Sequence, residues 1–370
     1  MTFAVITGGG TAGHVLPALA VAEELEHSGR PAESLYYVGA QRGIETRLLP
    51  DTPYPHTFLD VVGVQRRAVW ANASFLPRLV RAAGAARRLL GQLDPRVVVS
   101  VGGYASLPAV LAARRLRIPI VAVSFDRVPG RATALTARFA AATAVAFEGS
   151  SLPRATVTGP PVRQAIRDVD RAAGRQPART ALDLPADHFV IAVTGGSQGS
   201  GALNDAVLAY AAARHSDTRL VIYHLAGERF VAGVAERVGR SGTVHRLVGY
   251  TRRMDLVYAA ADLLVGRGGA STVAEVAVTG TPSILVPWPA AADDHQTANV
   301  RWLADQGAAV LLPEADLSGL GREVDSLRDQ PDRLAELARN ALAAGSVHPR
   351  GALGALIETV ALPERAKPGQ

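Results

Sequence analysis

Along this chain, short runs of apolar and β-branched residues alternate with longer stretches rich in alanine and leucine. In the first half the runs are Phe3–Thr7, Leu35–Val38, Val97–Val101, Ile120–Val123 and Thr143–Phe147. In the second half they are Phe189–Thr194, Leu220–His224, Leu263–Val265, Ser283–Val286 and Ala309–Leu312. Continuous apolar runs, without apolar–polar alternation, are the pattern of strands covered on both faces. Between them the spacing predicts helices such as Ala18–Glu26, Ala202–Ala213 and Asp255–Ala260. Strand–helix–strand alternation implies parallel sheets flanked by helices, and the series occurs twice. The predicted fold class is therefore α/β, with two Rossmann-like, doubly wound domains. Gly159-Pro160-Pro161 closes the first series, and the polar stretch from Arg167 to Pro177 has no apolar period. The predicted domains are residues 1–160 and 161–362, with a hinge near 159–165 and a disordered tail at 363–370.

One helical stretch, residues 72–93, carries a second pattern. Leu76, Leu79, Val80, Ala83 and Leu90 share a face at helical spacing, Arg78, Arg81 and Arg88 lie on another, and Arg87 falls on the apolar side. From Gly63 to Arg96 there are seven arginines and one acid, Asp94. Two roles are open to it: a core-facing helix with a solvated basic side, or a surface that docks on an anionic membrane.

Composition narrows the picture. With 370 residues, 48% hydrophobic and 19% charged, the chain is globular and long enough for two cores. Cysteine is absent, which excludes disulfides, a thiol nucleophile and zinc–thiolate sites and suits a cytoplasmic setting. The net charge of +6 is carried by arginine, since lysine occurs only at Lys367. No basic run is interleaved with aromatics, so nucleic acid is not a predicted partner. The opening strand runs straight into glycines, unlike a signal peptide, and the best long apolar stretch, Tyr104–Val123, is broken by Arg114, Arg115 and Arg117.

Four motifs carry chemistry. Thr7-Gly8-Gly9-Gly10-Thr11-Ala12-Gly13-His14 follows the first strand and opens a helix. Glycines there let backbone approach a ligand, and the helix start favours an anion. Gly39-Ala40-Gln41 stands where a dinucleotide-binding domain would carry its acid, which weakens a nicotinamide reading. His14 is open to a structural role, as lone histidines are, or to that of a general base, whose place it occupies. Gly102-Gly103-Tyr104-Ala105-Ser106 is a second strand-to-helix turn, where Tyr104 is open to packing or to a substrate contact. Gly195-Gly196-Ser197-Gln198-Gly199 mirrors the first loop in the second domain and suits a phosphate. A loop in each domain predicts a ligand between them. The fourth motif runs Arg267-Gly268-Gly269-Ala270-Ser271-Thr272 and on to Glu275, with Pro287-Trp288-Pro289 and Asp293-Asp294-His295-Gln296…Asn299 beyond. Ser271 and Thr272 read as a helix N-cap facing a pyrophosphate. Glu275 is open to bonding ribose hydroxyls or to serving the helix dipole. Asp294, His295, Gln296 and Asn299 match no metal spacing, and the amides suit sugar hydroxyls. No metal and no cofactor is predicted.

In this order, GGGTAGHVLPALA, GGYAS, GGSQGS, RGGASTVAE and DHQTAN resemble the MurG family of bacterial peptidoglycan glycosyltransferases, from Gly8 to about Leu312. The resemblance implies a GT-B fold whose first domain handles the acceptor and whose second holds the donor. It implies inverting transfer of N-acetylglucosamine from UDP-N-acetylglucosamine to an undecaprenyl-pyrophosphoryl-muramoyl-pentapeptide (lipid I), without a tightly bound metal, by a protein peripheral on the inner face of the cell membrane. Carried over, Thr11, Ala12 and Gly13 lie beside the donor, with His14 as base. Arg163 and Ser197 contact the diphosphate, Thr251 the uracil, Ala270, Ser271 and Thr272 the pyrophosphate, and Glu275 the ribose. Gln296 and Asn299 read the sugar. One segment departs from the family. Where His-Glu-x-Asn is usual, this chain has Val123-Ser124-Phe125-Asp126, which makes Asp126 a candidate partner of His14 in catalysis. The change keeps other readings open: a paralogue with another lipid or secondary-metabolite acceptor, a UDP-sugar epimerase or hydrolase, or a non-catalytic sensor.

Overall fold

A computed structural model describes residues 1–61, 75–238, 243–346 and 350–363. It comprises two compact units. One contains Met1–Arg163 and the closing helix Ala352–Val360; the other runs from Gln164 through the helix Pro331–Ser346. The chain passes from the first unit to the second after Arg163. The return of the last helix to the first unit was not expected from a single boundary. Contacts with residues near the start of the chain hold it there: Leu353 and Ile357 are buried, Arg30 donates to both oxygens of Glu358 at 2.7 and 2.6 Å, and Glu24 Oε1 accepts the Gly354 N–H at 2.8 Å. The tail expected at 363–370 lies, from residue 364 on, outside the described residues.

In the first unit the strands are β1 (Ala4–Thr7), β2 (Leu35–Ala40), β3 (His56–Leu59), β4 (Val97–Ser100), β5 (Ile120–Ser124), β6 (Ala142–Val145) and β7 (Ala155–Val157). In the second they are β8 (Phe189–Thr194), β9 (Leu220–Leu225), β10 (Val244–Val248), β11 (Leu263–Arg267), β12 (Ser283–Val286) and β13 (Val310–Leu311). Both sheets are parallel throughout, in the orders β3-β2-β1-β4-β5-β6-β7 and β10-β9-β8-β11-β12-β13. Strand order reverses between β1 and β4 and between β8 and β11, the place where open α/β sheets bind ligands at their carboxyl ends. The four glycine motifs follow these four strands.

Three strands lacked an apolar signature: β3, β7 and β10. All are edge strands. An edge strand is half-exposed and its positions can be polar, so His56–Leu59, Ala155–Val157 and Val244–Val248 show no continuous apolar run.

The helix Phe75–Leu93 corrects the predicted faces; residues 72–74 lie outside the described residues. Ala82, Ala86 and Leu90 enter the core, backed by Ala85, Leu89 and Leu93. Leu76 and Val80, 65% and 64% exposed, lie on the outer side with Arg81, Arg87 and Arg88. The expected single apolar face is therefore split. Small alanines, which weigh little in a hydropathy pattern, pack the helix against its neighbour Leu107–Leu116.

Candidate functional site

At the carboxyl end of the first sheet, the chain leaves β1 through Gly8–Thr11 and enters the helix Ala12–His27. Thr11 is the N-cap residue in extended conformation, without a side-chain capping bond. By position, the N–H groups of Ala12 and Gly13 have no acceptor within the helix. The loop is held from below by Glu45, a residue with no exposed surface. Its carboxylate accepts the Gly10 N–H at 3.1 and 3.2 Å and the Ala40 N–H at 2.8 Å. Gly10 therefore turns its amide inward, away from any ligand. Glu45 was not singled out from the sequence; its trace there is an acid lodged after Gly39 and Gly43. Burial and Glu45 together raise the Tyr37 and Tyr104 hydroxyl pKa values. Tyr37 donates to the Gly8 carbonyl at 2.5 Å, and the Tyr104 ring covers Gly10. Of the two roles open to Tyr104, the structure shows the packing contact.

His14 and Asp126 line one pocket of about 190 Å³, with Phe125, Arg131 and Thr133. The Phe125 ring meets His14 edge-on at 6.0 Å. Gly103, at φ +77°, closes the far wall, where a Cβ would lie 2.5 Å from the Gly9 carbonyl oxygen and 3.4 Å from the His14 ring. His14 Nδ1 is 3.2 Å from Thr11 Oγ1. If Nδ1 carries the hydrogen, Thr11 accepts it and Nε2 is the unprotonated nitrogen, the form a base requires. Arg163 ends this unit with its guanidinium on Glu23 (2.6 Å from Nε).

In the second unit, β8 leads through Gly195–Gly199 into the helix Gly201–Ala213. Ser200 caps this helix by accepting the Leu203 N–H at 3.3 Å; Ser197 stands half-buried within the loop. Gly199, at φ +66°, packs so closely on the next strand's exit that a Cβ would lie 2.4 Å from the Ala226 carbonyl oxygen. Arg267 ties the loops together. Its buried guanidinium donates to Ser200 Oγ at 2.5 Å, to the carbonyls of Val286 and Pro287, and to Glu314. The sequence offered no role for Arg267 beyond its place in the motif.

The helix Ala270–Thr279 corrects one expectation. Its N-cap is Gly269, so Ser271 and Thr272 lie in the first turn, and no side chain caps it. Ser271 Oγ is buried without a hydrogen-bond partner among the described residues. An open helix start beside an unsatisfied hydroxyl suits an anion chemically. Glu275 lies on the next turn, where its Oε2 accepts the Tyr258 O–H at 2.6 Å. Tyr258 is wholly buried, so it orients the carboxylate from behind. Thr251 follows β10, with Oγ1 accepting the Arg253 N–H at 3.1 Å. Gln296 is half-buried, and its Oε1 accepts the Trp288 N–H at 2.9 Å, which leaves its amide hydrogens to donate. Asn299 is 0% exposed. It is one of the buried residues of the helix His295–Ala304, not exposed as a direct sugar contact would be. Among the described residues, no three His, Asp or Glu side chains group to hold a metal, and no helix is long and apolar enough to cross a membrane.

Two doubly wound units with glycine loops at the switch points define a glycosyltransferase of GT-B type. Residues 4–145 match the glycosyltransferase family 28 N-terminal domain, and residues 190–349 its C-terminal domain. A UDP-N-acetylglucosamine–N-acetylmuramyl-(pentapeptide) pyrophosphoryl-undecaprenol N-acetylglucosamine transferase of Clavibacter michiganensis is 38% identical over 100% of this chain and 99% of its own. The enzyme of the same name from Mycolicibacterium paratuberculosis is 39% identical, covering 94% of this chain and 86% of its own. The crystal structure of Acinetobacter baumannii MurG superposes with a TM-score of 0.71 at 28% identity, over 97% of this chain and 99% of that one. The chain belongs to the MurG family of family 28 glycosyltransferases.

Proposed function

We propose that the protein transfers N-acetylglucosamine from UDP-N-acetylglucosamine to an undecaprenyl-pyrophosphoryl N-acetylmuramyl-pentapeptide, inverting the anomeric carbon. Full-length similarity to transferases named for that reaction carries the reading. The open start of the helix Ala270–Thr279, with Ser271 Oγ unsatisfied, supports a diphosphate there. Glu275, oriented by Tyr258, is placed to accept ribose hydroxyls. Gln296 donates to the sugar, Thr251 and Ser197 border the uracil and diphosphate, and Arg163, released from Glu23, adds a cation. In the single displacement, His14 Nε2 takes the acceptor hydroxyl proton, the acceptor oxygen bonds the anomeric carbon, and the bond to UDP breaks. The charge left on UDP is stabilised by the helix start. Thr11 holds the productive His14 tautomer, and Asp126 in the same pocket orients the hydroxyl or stabilises the imidazolium. The protein works at the inner membrane face, where its lipid-linked acceptor lies, and docks through the outer side of Phe75–Leu93.

UDP release with and without a polyprenyl-pyrophosphoryl acceptor tests the reading. Release that requires acceptor is expected, and His14→Ala should slow it by about 10²–10⁴ while donor affinity stays within a few-fold. Release without acceptor would replace transfer by the hydrolytic or epimerising chemistry that the extra carboxylate of Asp126 permits. Tight UDP binding without turnover would make the chain a sensor.

A further inference from the structure

The second unit has a pocket at the end of its sheet opposite the glycine loops. Its volume is about 570 Å³, within the range of small-molecule sites. Phe189, Arg219, Asp262 and Pro282 line it, at or just before the first residues of β8, β9, β11 and β12. The lining therefore gathers at the amino end of the strands. Two more arginines, Arg171 and Arg175, come from one face of the helix Arg171–Ala181, and Arg328 from the end of Leu320–Arg328. The helix Pro331–Ser346 supplies an apolar wall of Leu334, Ala335 and Ala338.

Charge in this pocket does not balance. Its four arginines face two carboxylates, Asp187 and Asp262. Asp262 is saturated: Oδ1 accepts from Arg175 Nε and Nη2 at 3.2 and 2.8 Å, and Oδ2 from Arg179 Nη2 and the Val190 N–H at 2.7 and 2.8 Å. Arg328 is paired with Asp217. Arg171 donates only to the carbonyls of Tyr258, Gly280 and Ala261, and Arg219 only to that of Asp187, among the described contacts. Among the described residues neither makes an ion pair, although Asp187 acts on Arg219 and Asp262 on Arg171 at longer range. Burial, foremost, pulls the Arg171 guanidinium down to about 10, Asp262 opposes this, and Arg175 and Arg179 push the same way as burial. Arg171 is partly desolvated, and the Asp262 near it is already engaged by Arg175 and Arg179; an anion entering here lowers the cost of its buried charge, while Arg219 offers an exposed guanidinium at the rim.

We infer that this pocket binds a phosphate or diphosphate group carried by a compound with an apolar portion. Arginine forks match phosphate oxygens two at a time, and the adjoining Phe189, Leu334 and alanine wall suits a non-polar remainder. The site is separate from the donor site and independent of the proposed reaction. A soluble phosphoester and an anionic lipid headgroup share this chemistry.

Calorimetric titration of the full chain with inorganic pyrophosphate, at constant ionic strength and with UDP saturating, reads the pocket. Binding is expected to weaken at least about tenfold in Arg175→Ala/Arg219→Ala, with UDP affinity unchanged. Asp187→Asn, which removes a rim carboxylate, should move it the other way and tighten binding, a change that mere support of the fold would not produce. Titrations of the same variants with phosphatidylglycerol vesicles identify the source: sensitivity to the double variant assigns a headgroup, and insensitivity a soluble phosphoester. Absence of pyrophosphate binding in the presence of UDP, or binding that neither variant alters, would overturn the site. Failure of UDP to bind would strike the proposed transferase and leave this test standing.

Discussion

Glu45 shows how much one buried carboxylate can organise. It is the acceptor for two backbone N–H groups from separate strand exits, and it underlies both Gly9 and Gly43. Glu45→Gln keeps the shape, removes the charge and turns an NH₂ toward one of two N–H donors. A lost charge-assisted bond and an unsatisfied donor imply about 2–4 kcal/mol of destabilisation. Denaturant unfolding of the variant checks this. A midpoint unchanged from wild type would mean that Glu45 does not hold the loop. In the proposed site, Asp126 is the residue to compare with it. Asp126→Asn preserves size and restores the amide usual in the family, so an unaltered rate and pH profile would make the carboxylate passive.

At the scale of an element, the helix Phe75–Leu93 has two jobs on two faces. Alanines and Leu90 face the core, while Leu76 and Val80 point outward beside Arg81, Arg87 and Arg88. Exposed aliphatic side chains flanked by arginines fit an anionic bilayer, where apolar groups enter the headgroup boundary and the cations meet phosphates. Leu76→Ser/Val80→Ser should weaken co-sedimentation with anionic vesicles even in high salt. Arg81→Glu/Arg87→Glu should weaken it chiefly at low salt, because screening already reduces the charge contribution. Membrane binding that neither pair affects would remove this helix from docking. The edge strands make the matching point about prediction: β3, β7 and β10 escaped the apolar-run criterion because half of each faces outward.

At the scale of the whole molecule, a buried histidine chain makes stability depend on pH. Asn204 Nδ2 donates to the Ala226 carbonyl at 3.1 Å, so its Oδ1 accepts from His224 Nε2 at 2.9 Å. His224 Nδ1 is then the acceptor from His245 Nε2, 3.1 Å away. Burial, reinforced by His245, lowers the His224 pKa to about 3, and burial lowers that of His245 to about 4. Both folded values lie below the unfolded value near 6.5, so the unfolded chain binds more protons between them. This contribution is complete above about pH 6.5 and is lost as pH falls toward 4 and below. For His224 alone the loss between pH 6.5 and 5 is about 2 kcal/mol. His245 is only half-buried and contributes less. Unfolding midpoints measured from pH 7 to 5 should fall, and the slope should flatten in His224→Gln. An equal slope in the variant would show that other groups set the acid sensitivity.

Much of this protein is written locally. Central strands buried on both faces are continuous apolar runs, so β1, β4, β5, β8, β9, β11 and β12 were legible, and with them the glycine loops that must follow. The order of motifs also specified the family, since loop residues that meet a ligand are chosen one by one. What the tertiary structure alone decided depends on partners distant in the chain. Glu45 is an ordinary acid until β1 and β2 bring Gly10 and Ala40 to it. Asn299 reads as a sugar contact until packing buries it, and Ser271 reads as a cap until Gly269 takes that position. The closing helix joins the first unit because Glu24 and Arg30 bind it there. The arginines of the second pocket are scattered over more than 150 residues, from Arg171 to Arg328, and only the folding of strand starts and helix ends to one edge of the sheet brings them together. Hydropathy reports whether a residue leaves water; which group it then meets is set by the fold.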